Sequence, residues 1–269
     1  MKIIFLLYAI LLTFVIWIVI LPNTNSITLD NDTQTMIKNC LEKNLSSDQN
    51  MNKLHCDFKR ANLRNANLEK INLSGADFSG ADLTGSNLSY SNLTNAIFYG
   101  TNFREANLYG VELKNAQMDG AYLRDAVLEN ANLNGASLKH VYFYKSILVN
   151  ANLANSDASR ANFCGQDLSH RILYGVNLDQ ADLRYANLAQ SNLISASLRH
   201  TDLSYANLFG ADLSNNDLSF VNLSNSNLAE ANLENSNLSG ADLTKTNLKN
   251  TKMTNTKLDE NITINPKNI

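Results

Sequence analysis

From Cys56 to Glu260 the chain repeats every five residues without insertion or deletion, giving 41 consecutive units of the kind Ala61-Asn62-Leu63-Arg64-Asn65. Every position ending in 3 or 8 in this stretch is a unit centre, and 32 of the 41 centres are Leu. The others are Phe58, Phe78, Phe98, Phe103, Phe143, Phe163, Met118, Met253 and Ala158. Two residues before the centre the side chain is small in 37 units, and one before it Asn or Asp stands in 29. A helix turns about 100° per residue, so Leu at this spacing would spread around the whole cylinder. A straight strand fails as well, because five is odd and successive Leu would alternate between its faces. What remains is a chain that bends once per unit in one sense and keeps each centre, with its small partner, inside a coil.

The bend has its own signature. All 11 Gly of the chain sit two residues after a centre, and Asn holds that place in 11 further units. These are the residues that best tolerate φ > 0, as the third position of a type II turn requires. Pro22 and Pro266 both lie outside the repeat. A ladder that uses most backbone N–H groups between coils has no room for proline.

This pattern of small residue, Asn or Asp, Leu or Phe and two variable positions resembles the pentapeptide-repeat family over 205 of the 269 residues. The resemblance implies an all-β solenoid, a right-handed, four-sided β-helix with 20 residues per coil. Phe58, Phe78 and Phe98 recur at that interval, as do Phe143/Phe163, Tyr122/Tyr142, Val127/Ile147 and Tyr185/Tyr205. About ten coils at a spacing of about 4.8 Å make a rod about 50 Å long.

The flanks are different in kind. Residues 3–21 form an apolar run preceded by Lys2 and interrupted only by Tyr8 and Thr13. Its length suits a transmembrane anchor better than the apolar region of a cleaved signal, and residues 22–26 offer no small-residue cleavage site. Lys2 and the amino terminus then place the rod outside the cytoplasm; signal cleavage would leave it secreted or periplasmic. The expected organisation is an anchor at 1–22, a spacer and cap at 23–55, the β-helix at 56–260 and a tail at 261–269. Within the cap, Met36, Ile37, Cys40, Leu41 and Leu45 fall at helical spacing after possible N-caps Asp32 or Thr33, predicting a short helix over the open end of the coil. Cys40 and Cys56 flank this cap and either form a disulfide in an oxidising compartment or remain free thiols.

Recognisable chemistry is sparse. The repeat carries 17 basic and 21 acidic residues, a balance of −4 that opposes direct nucleic-acid binding. His55, His140, His170 and His200 are dispersed along the rod, and no metalloprotease, nucleophile-elbow, phosphate-loop or paired-cysteine spacing occurs. Neither a cofactor nor a metal is expected. Carboxylates such as Asp77 and Asp82 come from the Asn/Asp slot itself and are poor candidates for acid–base work. Asn72, Asn87 and Asn92 match a glycosylation sequon because the repeat spells one.

Departures from the pattern are where selection for something besides the rod would show. The slot before the centre should face solvent, yet Ile97, Tyr122, Val127, Tyr142, Ile147 and Ile172 are apolar or aromatic there. With 20 residues per coil, Tyr122 would stack on Tyr142 and Val127 on Ile147, forming a patch on two adjacent walls. It is either cross-strand packing that stabilises the ladder or a partner-docking surface. A second irregularity spans 156–175, where Ala158 replaces a central Leu while Gln166 and Arg171 occupy the small inward slot. An inward Arg is costly unless paired, so the wall is expected to bulge and release Arg171 to water rather than enclose a polar network.

The reading that follows is a non-enzymatic interaction or structural scaffold held at a membrane, with an unknown protein partner. The resemblance offers an alternative, because some pentapeptide-repeat proteins mimic B-form DNA and bind type II topoisomerases. Residues 200–244 contain six acidic and no basic residues, but these distribute over all four expected walls. An enzyme is the least favoured reading, since no nucleophile, base or metal ligand can be named.

Overall fold

The computed structural model describes residues 56–259 together with Ile37 and Cys40. Its organising contact is parallel pairing between residues 20 apart, from Asp57↔Asp77 to Asn237↔Lys257, always at the slot before the centre. Four such slots per 20 residues define a four-sided coil, the first at 56–75, the fifth at 136–155, the sixth at 156–175 and the tenth at 236–255. Face one carries Asp57, face two Asn62, face three Asn67 and face four Asn72, each continued at intervals of 20.

Every residue ending in 0 or 5 from Arg60 to Asn255 has φ between 54° and 72°, whether Gly or not. The turn at Phe58–Ala61 closes with the Ala61 N–H donating to the Phe58 carbonyl at 3.1 Å. With φ positive at the third residue alone, this is the sign pattern of a type II turn. Residues such as Tyr90, Glu105 and Phe220 adopt it despite their side chains, at a strain that the ladder on either side must offset.

The backbone accounting of one unit explains the consensus. The small residue donates within the turn, while the slot, centre and fifth residues donate between coils, as Asp77 N–H to the Cys56 carbonyl (2.8 Å), Phe58 N–H to Asp77 (2.7 Å) and Arg60 N–H to Ser79 (2.9 Å). Only the N–H after the centre has no backbone acceptor. The Asn or Asp side chain supplies one, as Asp57 Oδ1 does for Lys59 N–H (3.0 Å) and Asp202 Oδ1 for Ser204 N–H (3.0 Å). The slot amides also join one another along the rod: Asn207 Nδ2 donates to Asn187 Oδ1 and Asn227 Nδ2 to Asn207 Oδ1. Asn/Asp is therefore a cap and a ladder rung, a role that solvent exposure alone would not require.

Centres and small residues together line one continuous core, with Phe58, Phe78 and Phe98 stacked face to face at 4.8 and 5.1 Å. Burial of each centre contributes roughly 1.5–3 kcal/mol before entropy is subtracted. Most inward hydroxyls find carbonyls, as Thr101 Oγ1 donates to Phe78 O and Ser86 Oγ to Leu83 O, both at 2.7 Å, while Ser156 Oγ has no partner.

Of the expected cap, only Ile37 and Cys40 are described. Both are helical, both are buried, and both belong to the rod's core. Cys40 and Cys56 are joined by a disulfide with their Cα atoms 5.3 Å apart. Among the described residues no helix is long and apolar enough to cross a membrane; the run at 3–21 and the tail at 261–269 lie outside them.

Candidate docking face and the junction below it

Tyr122 and Tyr142 pair on face two and stack at 5.3 Å with only 4° between their planes. Val127 and Ile147 pair beside them on face three. Tyr122 (48 %), Tyr142 (46 %) and Ile147 (46 %) remain largely exposed, while Val127 is half-buried. Four further exposed side chains extend the patch around the rod: Tyr144, Val149, Ile172 and Tyr174. Ile172 occupies an anomalous slot, whereas Tyr144, Val149 and Tyr174 sit just after a centre, a position whose variability hides any signal until the coils are stacked. Arg124 and Lys145 lie over the Tyr144 ring, 5.6 and 5.5 Å from its centroid.

These apolar slots forgo something definite. In the units of Tyr122, Val127, Tyr142, Ile147 and Ile172 no slot oxygen receives the N–H after the centre, a net hydrogen bond of about 0.5–1.5 kcal/mol forgone each. Ring stacking returns part of this for the tyrosine pair.

Immediately below the patch the ladder is interrupted. Ile147↔Asp167 and Asn152↔Ile172 are missing from an otherwise unbroken series, although Ser137↔Asp157 and Tyr142↔Asn162 hold faces one and two together. Among the described residues, the N–H groups of Lys145, Leu148, Asn150 and Leu153 on the upper rim, and of Asp167 and Ile172 on the lower, meet no hydrogen-bond acceptor. The cause lies in the inner slot. Gln166 and Arg171 hold positions built for Ala or Ser, and coils five and six part between Lys145 and Leu153, closing again where the Asn155 N–H donates to the Tyr174 carbonyl at 2.9 Å. The expected bulge is thus not found: Arg171 keeps its inward register at 9 % exposure, and its Nε has no partner. Gln166 keeps one weak contact, accepting from Ser146 Oγ at 3.3 Å. Phe143 and Phe163 stack at 4.5 Å in the same region.

The electrostatics of the site follow from burial and hydrogen bonds. Burial raises the Asp167 carboxyl, but the Ser169 hydroxyl and N–H and the Arg171 charge outweigh it and hold the group below its ordinary range. At the adjoining corner, burial pushes the Cys164 thiol up and the Asp182 carboxylate adds to it, which disfavours a reactive thiolate. His140 stands on the same corner column as His200, which instead stacks on Phe220 at 4.9 Å. Among the described residues no group of His, Cys, Asp and Glu could hold a metal ion. Asp77 and Asp82 are committed to Ser79, Thr84 and the bridges to Lys59 and Arg64.

Comparison with known proteins matches the family model described as pentapeptide repeats, in overlapping copies that together cover 56–215 and 217–255. Among solved structures the chain is similar to HetL, a pentapeptide repeat protein involved in heterocyst differentiation regulation from the cyanobacterium Nostoc sp. strain PCC 7120. The identity is 33 %, over 80 % of this chain and 94 % of that one, with a TM-score of 0.72. A pentapeptide repeat protein of the Arabidopsis thaliana thylakoid lumen is 33 % identical over 36 % of this chain and 72 % of its own, with a TM-score of 0.30. QnrB1, a plasmid-mediated fluoroquinolone resistance protein, is 18 % identical over 76 % of this chain and 88 % of its own, with a TM-score of 0.41. No curated protein matches the sequence significantly.

Proposed function

Because the chain belongs to the pentapeptide-repeat family, whose rods present side chains rather than reaction centres, we propose that it is a non-enzymatic scaffold that docks a protein partner through coils four and five. One observation carries this reading: Tyr122, Tyr142 and Ile147 are exposed at slots where the fold itself favours Asn or Asp. Residues that give up a backbone cap and still face water are explained by a contact outside the chain.

The membrane part of the proposal rests on the 19-residue apolar run at 3–21. The Cys40–Cys56 disulfide supports an oxidising compartment, and so an anchored rod outside the cytoplasm. The helical, buried Ile37 and Cys40 support a cap over the first coil. The DNA-mimic reading draws its support from the acidic stretch at 200–244. Those acids, however, stand on face two (Asp202, Asp242), face four (Asp212), face one (Asp217) and two corners (Glu230, Glu234), and form no single stripe.

Replacing Tyr122, Tyr142 and Ile147 with Asn restores the consensus slot and the missing caps, so the rod should fold at least as well. In-cell cross-linking of the full chain should then lose its specific adducts while the melting temperature holds. An unchanged set of adducts would remove the docking reading. For the anchor, resistance to alkaline extraction together with protease accessibility on intact cells is the expected result; a protected rod would reverse the orientation.

A further inference from the structure

We infer that the last turn of the rod is an interface for a second copy of this chain, which seats its own last turn upon it, edge to edge, across a two-fold axis. The inference concerns the end of the rod and does not rest on the docking face.

The two ends of the ladder differ. At the amino-terminal end Ile37 and Cys40 join the core. Every centre from Phe58 to Leu238 is at most 2 % exposed, whereas Ala241, Leu243, Met253 and Leu258 in the last turn are only partly buried. The pairs Asn222↔Asp242, Asn227↔Asn247, Asn232↔Lys252 and Asn237↔Lys257 end the ladder, and among the described residues the N–H groups of Leu243, Leu248, Met253 and Leu258 meet no acceptor. Along the rod, the residue before the slot turns its carbonyl, and the centre its N–H, toward the following coil, as Cys56 and Phe58 do toward Asp77. Each face of the final edge therefore presents a carbonyl and, two residues on, an N–H. Such an edge is its own complement under a two-fold axis. Run antiparallel, the carbonyl before one slot receives the N–H after the opposing slot, and the exchange is reciprocal. An unpaired edge of this kind is a template for pairing with another chain.

Shape and charge select one placement. The last turn is a ramp: from Asp242 through Asn247 and Lys252 to Lys257, each face lies about 1.2 Å further along the axis, a quarter of the strand spacing. A two-fold axis through the corner between Asp242 and Lys257 sets the most recessed face against the most protruding one. It also sets Asn247 against Lys252, so all four faces meet at one depth. The same placement brings Asp242 of each copy opposite Lys257 of the other. Asp242 Oδ1 is held by the Thr244 N–H at 2.9 Å, which leaves Oδ2 for the lysine. The other three two-fold placements of a square end each oppose Lys252 or Lys257 to a lysine at close cross-strand range. These lysines thus reject the wrong registers and admit one. Lys249 and Asp259, on the corners that the axis crosses, face their own counterparts, and both are exposed, where water and salt screen them. The amino-terminal ends of the two rods point apart, so that on the anchor reading the two copies belong to facing membranes.

The test is sedimentation equilibrium of the full chain in detergent over a concentration series. The unmodified protein should pass from monomer to dimer. Asp242→Lys alone and Lys257→Asp alone each oppose like charges at both pairs and should weaken association at least about tenfold. Both slots are exposed, so the melting temperature of each variant should hold. Mixed together, the two variants should dimerise with each other as tightly as the unmodified protein does, because every opposed pair is again Asp against Lys. Association through the apolar run at 3–21 would not respond to this exchange of charge. A full chain that stays monomeric, dimerisation that neither variant weakens, or a mixture that remains monomeric would overturn the inference. So would a monomer that dimerises only once residues 261–269 are removed, which would give the edge to the chain's own tail.

Discussion

Coil six and the coil after it, 176–195, are built from the same pentad and behave differently. In the second, Ala186 and Ser191 occupy the inner slots of faces three and four, and the pairs Asn187↔Asn207 and Asn192↔Asp212 continue the ladder. In the first, Gln166 and Arg171 stand at those slots, and the pairs above them are absent. Ser191 is buried and harmless because its hydroxyl reaches the Leu188 carbonyl at 2.7 Å. Arg171 is too long and too charged for that solution. The rod is thus held by centres that pull coils together and by inner slots small enough to let them meet, and two neighbouring exceptions suffice to part the coils locally.

The largest effect should come from charging a centre, and it should differ between the two regions. Leu208→Asp in the closed ladder should remove about 4 kcal/mol or more and break far-UV CD and thermal melting there, since a carboxylate would be sealed from water. Leu168→Asp, beside the open junction, should fall short of that, and equal melting losses would break the comparison. Transplanting the exception one coil on, as Ala186→Gln with Ser191→Arg, should open Asp167↔Asn187 and Ile172↔Asn192, lower stability by about 2–3 kcal/mol and expose their amides to exchange. Reducing the Cys40–Cys56 disulfide should loosen the first coil by about 3 kcal/mol and leave exchange at the central junction unchanged. Repairing the junction with Gln166→Ala and Arg171→Ala should stabilise the rod by about 1–3 kcal/mol, read as a rise in melting temperature.

Acid should produce the smallest and least local change. Burial raises Asp77, Asp82 and Asp179, but hydrogen bonds and the partners Lys59, Arg64 and Arg199 leave each carboxyl net below its ordinary range. In Asp182 the Arg184 hydrogen bond leads in the same direction. Groups with lowered folded values contribute stability that is present above their unfolded value of about 4 and is lost as pH falls through the folded one. These pairs are partly exposed, so the loss per group is small. Melting should decline gradually below about pH 4 along the whole rod, and an abrupt acid transition confined to coil six would contradict it.

Much of this was legible in the residues. A Leu at every fifth position admits only a coil that bends each unit, and Gly or Asn two residues later marks the bend; the structure has positive φ at each such place from Arg60 to Asn255. The stacking of Tyr122 on Tyr142 followed from position once the coil length was in hand. The capping role of Asn and Asp was not visible, because the pattern shows that the slot is polar but not which N–H lacks an acceptor. Tyr144 and Val149 escaped notice because their position is variable. Arg171 was recognised as an anomaly, and its consequence was misjudged.

What the chain determined by itself is everything governed by the five-residue period: the turn, the inward centre and the small partner are set within a single unit and repeated. Whether two coils close upon each other was left to the tertiary structure. The carbonyl that a given N–H meets belongs to a residue about 20 positions away, and the side chains between those coils decide the distance across which it must reach.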